Sequence, residues 1–286
     1  MKSFLFFFLF TLFLIQCRST NSTSRSPQNL QYLKTCNESN ATILFPDANL
    51  IDAKVDNGQP ILSYFARTGN IDCAKRLLSL KANPNQRDAR GFTPLIFSVY
   101  SNQGMMDLLL ENGADLNSET PDAGNALILS AEIGNVEAVQ YLIGKGMNVN
   151  HLTKNKGTPL MHASIRGHDK VVSHLLKNGA DPNLADILNI TPIMHAASNG
   201  HVVTVSLLIQ YKADIHKKDY KGYSVIFAPS DARNPNENHL EILDLLMKAG
   251  ANIHDRNDDG DTPLSIAKKR RLSFLIDKLE SLGAKE

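Results

Sequence analysis

The sequence predicts an all-α solenoid of about seven helix-turn-helix repeats with β-hairpin-like fingers. The first observation is a helix-opening segment that recurs from residue 60: PILSYFARTGN, TPLIFSVYSN, NALILSAEIGN, TPLMHASIRGH, TPIMHAASNGH, SVIFAPS and TPLSIAKKRR. Its third residue is Leu62, Leu95, Leu127, Leu160, Ile193, Ile226 and Leu264, giving spacings of 33, 32, 33, 33, 33 and 38. The second is a closing segment that recurs with it, as LLENGADLN, LLKNGADPN or LMKAGANIH. A fixed period near 33 residues signals stacked units rather than one closed core. The third is that neither helix of a unit is long enough to be stable alone, so each pair must lean on the next.

In chain order, the N-terminus comes first and is set aside from the fold. One Lys precedes a twelve-residue apolar run from Phe4 to Ile15. As a helix it spans about 18 Å, short of the roughly 30 Å hydrocarbon core, so residues 1–16 read as an export signal rather than a permanent span. The stretch LIQC, ending at Cys17, resembles a bacterial lipobox, in which the cysteine thiol takes a diacylglycerol. Leu14 matches that pattern; Gln16 departs from its usual Gly, Ala or Ser, a departure that spirochaete-type lipoboxes tolerate. The other reading of Cys17 is a cysteine beside an ordinary cleavage site. Residues 17–45 are rich in Ser, Thr and Asn and too poor in apolar side chains to offset their ordering entropy, so they read as a flexible tether. Asn21, Asn37 and Asn40 head N-x-Ser/Thr triplets, which matter only in a glycosylating secretory pathway.

Residues 46–286 form the repeat domain, with units at about 58–90, 91–122, 123–155, 156–188, 189–221, 222–259 and 260–286. The fourth unit shows how each is built. Thr158 suits a helix N-cap and Pro159 the first helical turn, where a missing N–H costs nothing. Gly167 ends a first helix. Val171, Val172, Leu175 and Leu176 make one apolar stripe on a second helix expected over Asp169 to Asn178, with Gly179 placed for a left-handed cap. The polar residues from ADPN to the next TPI make an extended, turn-rich finger.

The pattern G-x-TPL-x-x-A-x-x-G-H…V-V-x-x-LL-x-x-GAD-x-N resembles the ankyrin repeat, over about 80% of the chain. Units four and five match it almost residue for residue. Unit one has Pro60 in place of Thr, unit three has Asn125-Ala126 in place of Thr-Pro, and unit six carries five extra residues around 229–239. Unit seven has Lys268, Lys269, Arg270 and Arg271 and resembles a polar C-terminal cap. The resemblance implies that His168 and His201, in one column after the Gly between helices, are structural and bond neighbouring backbone. It also implies a protein partner bound through the fingers and the concave inner-helix groove.

The remaining chemistry is sparse. Net charge is +1, so no global field attracts nucleic acid, and the chain is expected to be a monomer. No catalytic motif is visible, and no cofactor or metal is expected. His162 and His195 share an inner-helix column but sit on neighbouring repeats roughly 10 Å apart, too far to share a zinc ion. His174 is expected on a solvated outer helix. Asp255, Asp258, Asp259 and Asp261 lack EF-hand spacing and read as a solvated face. Cys36 and Cys73 either pair in a disulfide, or Cys73 is a buried free thiol in a column that holds Val in units four and five.

Protein-binding candidates come from columns expected to have no packing duty. On the inner helices these are Tyr64, Phe97, Tyr100, Leu129, Ile133, His162, Ile165, Arg166 and His195. On the fingers they are Arg90, Phe92, Ile187, Leu188, Ile190, Tyr220 and Tyr223. Exposed apolar and aromatic stripes with Arg mark interfaces. The expected function is an exported, lipid-anchored protein binder of the cell envelope, membrane-attached through Cys17 or else periplasmic or secreted. Two other readings stay open: a periplasmic helper of a catalase or other redox enzyme, and a secreted effector that binds host proteins.

Overall fold

In the computed structural model the described residues are 51, 54–55, 58–122 and 124–285. The export signal, Cys17, the tether and Cys36 lie outside them. Seven helical pairs follow in order: α1 (Ile61–Thr68) with α2 (Ile71–Ser79), α3 (Pro94–Ser98) with α4 (Gln103–Glu111), and α5 (Ala126–Ile133) with α6 (Val136–Gly144). Then come α7 (Pro159–Arg166) with α8 (Asp169–Lys177), and α9 (Pro192–Ser198) with α10 (Val202–Gln210). The sixth pair is a 3-10 turn (Val225–Phe227) leading into α11 (Ala228–Asp231), with α12 (Glu237–Lys248); the seventh is α13 (Pro263–Lys269) with α14 (Ser273–Ser281). The principal packing joins helices of the same pair or of adjacent pairs, so the array is one-dimensional. The described sheet is minimal: β1 (Glu119–Thr120) pairs antiparallel with β2 (Gly124–Asn125) at one finger.

The spine is the column that set the period. Leu62, Leu95, Leu127, Leu160, Ile193, Ile226 and Leu264 are each at most 1% exposed. Burying such a side chain contributes about 1.5–3 kcal/mol, available to so short a helix only once a neighbour covers it. Val171, Val172, Leu175 and Leu176 make the matching stripe on α8, all buried.

Capping explains where the helices start. The Oγ1 atoms of Thr93, Thr158 and Thr262 accept from the backbone N–H of Ile96, Met161 and Ser265. Asn125, which breaks the Thr-Pro pattern, does the same job through Oδ1 to Ile128 N–H at 3.1 Å. In the first five units the second helices start in two ways. In units one to three, Asn70, Asn102 and Asn135 cap them. In units four and five, His168 and His201 occupy that place without capping. Their Nε2–H groups instead donate to Glu132 O at 2.9 Å and Ile165 O at 3.0 Å in the preceding repeat. Each ring lies over a glycine with positive φ: a Cβ on Gly134 would come within 2.8 Å of His168, and one on Gly167 within 2.4 Å of His201. The structural role expected for these histidines is what the geometry shows.

Each finger is closed by its own turn. Asp88, Asp186 and Asp219, one per repeat, accept two backbone N–H bonds each on Oδ1, and Asn257 accepts one. Asp and Asn are suited to this because their short side chains mimic a backbone turn. Neighbouring repeats are also tied by an amide ladder. Asn85, Asn150 and Asn183 donate from Nδ2 to Gly113 O, Gly179 O and Lys212 O. Their Oδ1 atoms accept from the N–H of Asp115, Asp181 and Asp214. Cys73 is fully buried and disulfide-bonded.

Candidate protein-binding surface

Stacking the first helices sets a row of side chains along one side of the array, flanked by the fingers. The structure divides the sixteen candidate residues into three groups. Phe92, Phe97 and Leu129 are buried in the core, which corrects the expectation that their columns carry no packing duty. The reason is local. The residue just before a first-helix cap folds back under the finger, so Phe92 meets the Phe97 ring at 5.4 Å between centroids. Leu129 is enclosed because α5 packs against both α3 and α7. Tyr64, Ile133, Ile190 and Tyr223 are half-buried and lean on the core; the Tyr223 ring meets Phe227 at 4.9 Å. Leu188, His162, Ile165, Arg166 and His195 are also half-buried. The open group is Arg90, Tyr100, Ile187 and Tyr220; Tyr100, expected on an inner helix, stands instead in the turn two residues past the end of α3. Arg90 lies over the Phe92 ring at 4.9 Å, so the buried aromatic still shapes the surface by holding a guanidinium in place.

The inner-helix row contains a charged cluster that the sequence reading missed. Glu132 on α5, only 8% exposed, meets Arg166 Nη2 at 2.9 Å and His162 Nδ1 at 3.5 Å, both on α7. Burial pushes the Glu132 carboxyl up, but the hydrogen bonds and charges of His162 and Arg166 outweigh it and hold it below the ordinary carboxylate range. One repeat on, His195 Nε2 lies 3.5 Å from Asp186 Oδ2. His162 and His195 are thus each faced by a carboxylate rather than by each other. The available signal was register: Glu132 stands 34 residues before Arg166 and 30 before His162, offsets that bridge adjacent units. His174, expected to be solvated, is half-buried, with Nδ1 3.5 Å from Gln140 Nε2.

At the fingers, backbone bonds join neighbouring tips. Ile187 N–H donates to Asn155 O at 3.2 Å, Tyr220 N–H to Leu188 O at 3.0 Å, and Asp258 N–H to Lys221 O at 3.0 Å. The tips of units three to six therefore form one connected edge. A cleft of about 510 Å³ opens beside it, lined by Arg87, Glu119, Pro121 and Lys154 among others. Among the described residues no group of three or more His, Cys, Asp or Glu side chains is arranged to hold a metal ion.

Comparison with known proteins agrees with this architecture. A family model for ankyrin repeats in three copies matches residues 26–120 and 104–186, and one for a single ankyrin repeat matches residues 189–220. The human ASB11 ankyrin repeat domain superposes with a TM-score of 0.70 at 23% identity, covering 80% of this chain and 100% of that one. Among curated proteins, mouse neurogenic locus notch homolog protein 1 is 36% identical over 92 residues, which is 32% of this chain and 4% of that protein. Delta-latroinsectotoxin-Lt1a from Latrodectus tredecimguttatus is 35% identical over 95 residues, 32% of this chain and 8% of that protein. The chain thus spans only a small part of the length of these curated relatives.

Proposed function

The chain belongs to the ankyrin-repeat family, and from that premise we propose that it is an exported, lipid-anchored protein of the cell envelope that holds a protein partner along its inner helices and fingers. The observation that carries the binding half is the row from Tyr100 through Ile133 and Ile165 to His195, with Ile187 and Tyr220 on the fingers beside it. These positions stay open or half-open, while the Leu62-to-Leu264 column of the same first helices is shut. Exposed aromatic and aliphatic side chains beside Arg166 have the composition of binding hot spots. Export is supported by the apolar run before Cys17. The disulfide at Cys73 is in keeping with an oxidising compartment; the chain's other cysteines are Cys17 and Cys36, and Cys36 is the partner we assign to it. Among the described residues no helix is long and apolar enough to cross a membrane, so attachment in this reading runs through acyl chains on Cys17.

The test is affinity purification of the tagged full chain from the envelope of the cells that make it, beside a Tyr100→Ser/Ile165→Ser variant. Wild type should retain a discrete protein, and the variant should lose most of it, on the order of tenfold, with the melting temperature little changed. The identity of that protein separates an envelope partner from a redox enzyme or a host target. Equal retention by both forms would refute the inner-helix row as the binding surface. Feeding a fatty-acid analogue should label wild type and leave Cys17→Ala unlabelled.

A further inference from the structure

The fingertips of units three to five differ from those on either side. Three of the most exposed large apolar side chains among the described residues lie there: Ile187 at 58%, Tyr220 at 49% and Leu152 at 45%. Lys154, Lys156 and Lys221 are exposed among them, with Lys221 Nζ 5.4 Å from the Tyr220 ring centroid. The fingers of units four and five open with the exposed Asp181 and Asp214, whose Oδ1 atoms accept from the N–H of Asn183 and His216, so the basic excess is confined to the tips. Asp186 and Asp219 are turned inward, each accepting backbone N–H bonds of its own turn. On either side the sign reverses: Glu119 and Asp122 are exposed on the preceding finger, Asp258 and Asp259 on the following one. The inter-finger bonds at Asn155 and Leu188 make the three tips one continuous patch.

We propose that this basic, apolar fingertip patch, centred on Lys154, Lys156, Ile187, Tyr220 and Lys221, docks an extended acidic segment of a partner protein with apolar side chains interspersed. The proposal rests on the fingers being part of a protein-binding face. Charge complementarity names the sign of the ligand, and the exposed Ile187 and Tyr220 name its apolar component. The acidic neighbours name its extent. An anionic membrane plane pressed on these tips would also face Glu119, Asp122, Asp258 and Asp259 one repeat away. That spacing of about 10 Å is comparable to the Debye length of about 8 Å, so the repulsion is felt. A segment that ends within three fingers avoids it. Three tips span about 20 Å, which an extended chain covers in about six residues at roughly 3.3 Å each.

The probe is a random nine-residue display library selected on the full chain, with the winning peptide then titrated by fluorescence anisotropy. Winners should carry several Asp or Glu with apolar residues between them. Affinity should fall about tenfold or more in Lys154→Glu/Lys156→Glu/Lys221→Glu, and about fivefold in Ile187→Ser, with melting temperatures near wild type. Winners without an acidic excess, or equal affinity for the triple variant, would overturn the proposal. So would sedimentation with phosphatidylglycerol vesicles that the triple variant abolishes and the winning peptide does not compete, since that assigns the patch to lipid. Failure here is distinct from failure of the broader reading. The envelope partner's loss from Tyr100→Ser/Ile165→Ser depends on the inner helices and stands or falls without the fingertips.

Discussion

The fifth and sixth repeats use the same joint in two ways. In the fifth, His201 stands at the start of α10 and donates to Ile165 O of the repeat before it. In the sixth, five extra residues intervene, and α12 runs twelve residues where α10 runs nine. Part of the insertion is taken up as an added turn at the helix start. His239 then reaches Ser198 O at 3.4 Å from the third position inside the helix, while Asn236 serves as the cap. The first helix shrinks to a 3-10 turn and the four residues of α11. The imidazole-to-carbonyl bridge is therefore kept while its covalent setting changes, at the expense of a tighter fit.

The largest effect expected from this comparison is at the glycines beneath the rings. Gly167 has φ +67° and lies against His201, where a new Cβ would come within 2.4 Å of the ring; Gly200 has φ +75°, but His239 is 3.0 Å away. A left-handed backbone costs a non-glycine residue roughly 1–2 kcal/mol at either site. At Gly167 the ring must also move and lose its bond, a further cost of about 1 kcal/mol. Gly167→Ala should therefore lower unfolding stability in urea by about 2–3 kcal/mol and Gly200→Ala by about 1–2 kcal/mol. Equal losses would mean that the insertion does not loosen the joint.

The sixth repeat also shows what the sequence could and could not convey. The Leu62-to-Leu264 column was legible because a fixed period marks whatever every unit must bury. The histidine column was legible at His168 and His201 and hidden at His239. Counted with the five extra residues, His239 falls in that column, but only the added turn reveals that it arrives from inside a helix. Phe92, Phe97 and Leu129 were misread because register tells which residues are equivalent, not how far a finger folds back on the helix it precedes. Glu132 escaped for a related reason: its partners are in the next unit, and a reading that treats each unit as a copy does not look for an acid in one answered by a base in another.

A smaller, pH-dependent effect should separate His239 from its neighbours. Burial pushes the His239 imidazole below the ordinary histidine value. Its Nδ1 faces both the N–H of Asn236 at 3.1 Å and Asn236 Oδ1 at 2.9 Å, and its Nε2 faces Ser198 O at 3.4 Å. The unfolded chain takes up a proton near pH 6.5, and the folded chain does so only at lower pH. Stability from this site is thus fully present above about pH 6.5 and is lost as pH falls from there through the lower folded value. Urea midpoints measured from pH 7.5 to 5 should fall in wild type and fall less steeply in His239→Gln. Parallel curves would show that His239 takes up its proton equally easily folded or unfolded.

The mildest expected change tests the same junction by repair. Asn183 links the fourth and fifth repeats with two bonds, to Lys212 O at 3.3 Å and from Asp214 N–H at 2.7 Å. The corresponding residue between the fifth and sixth repeats is His216, exposed, where the amide ladder has no Asn. An imidazole cannot present an N–H donor and a carbonyl oxygen at the spacing of a carboxamide. By register, an Asn at 216 would face Gly250 O and Asn252 N–H. His216→Asn should raise stability by about 0.5–1 kcal/mol, since two exposed bonds each contribute modestly after competing with water. If the insertion has only lengthened α12, the ladder re-forms and the gain appears. No gain would mean that it has also shifted the sixth repeat along the array, placing Gly250 and Asn252 beyond reach of an amide side chain.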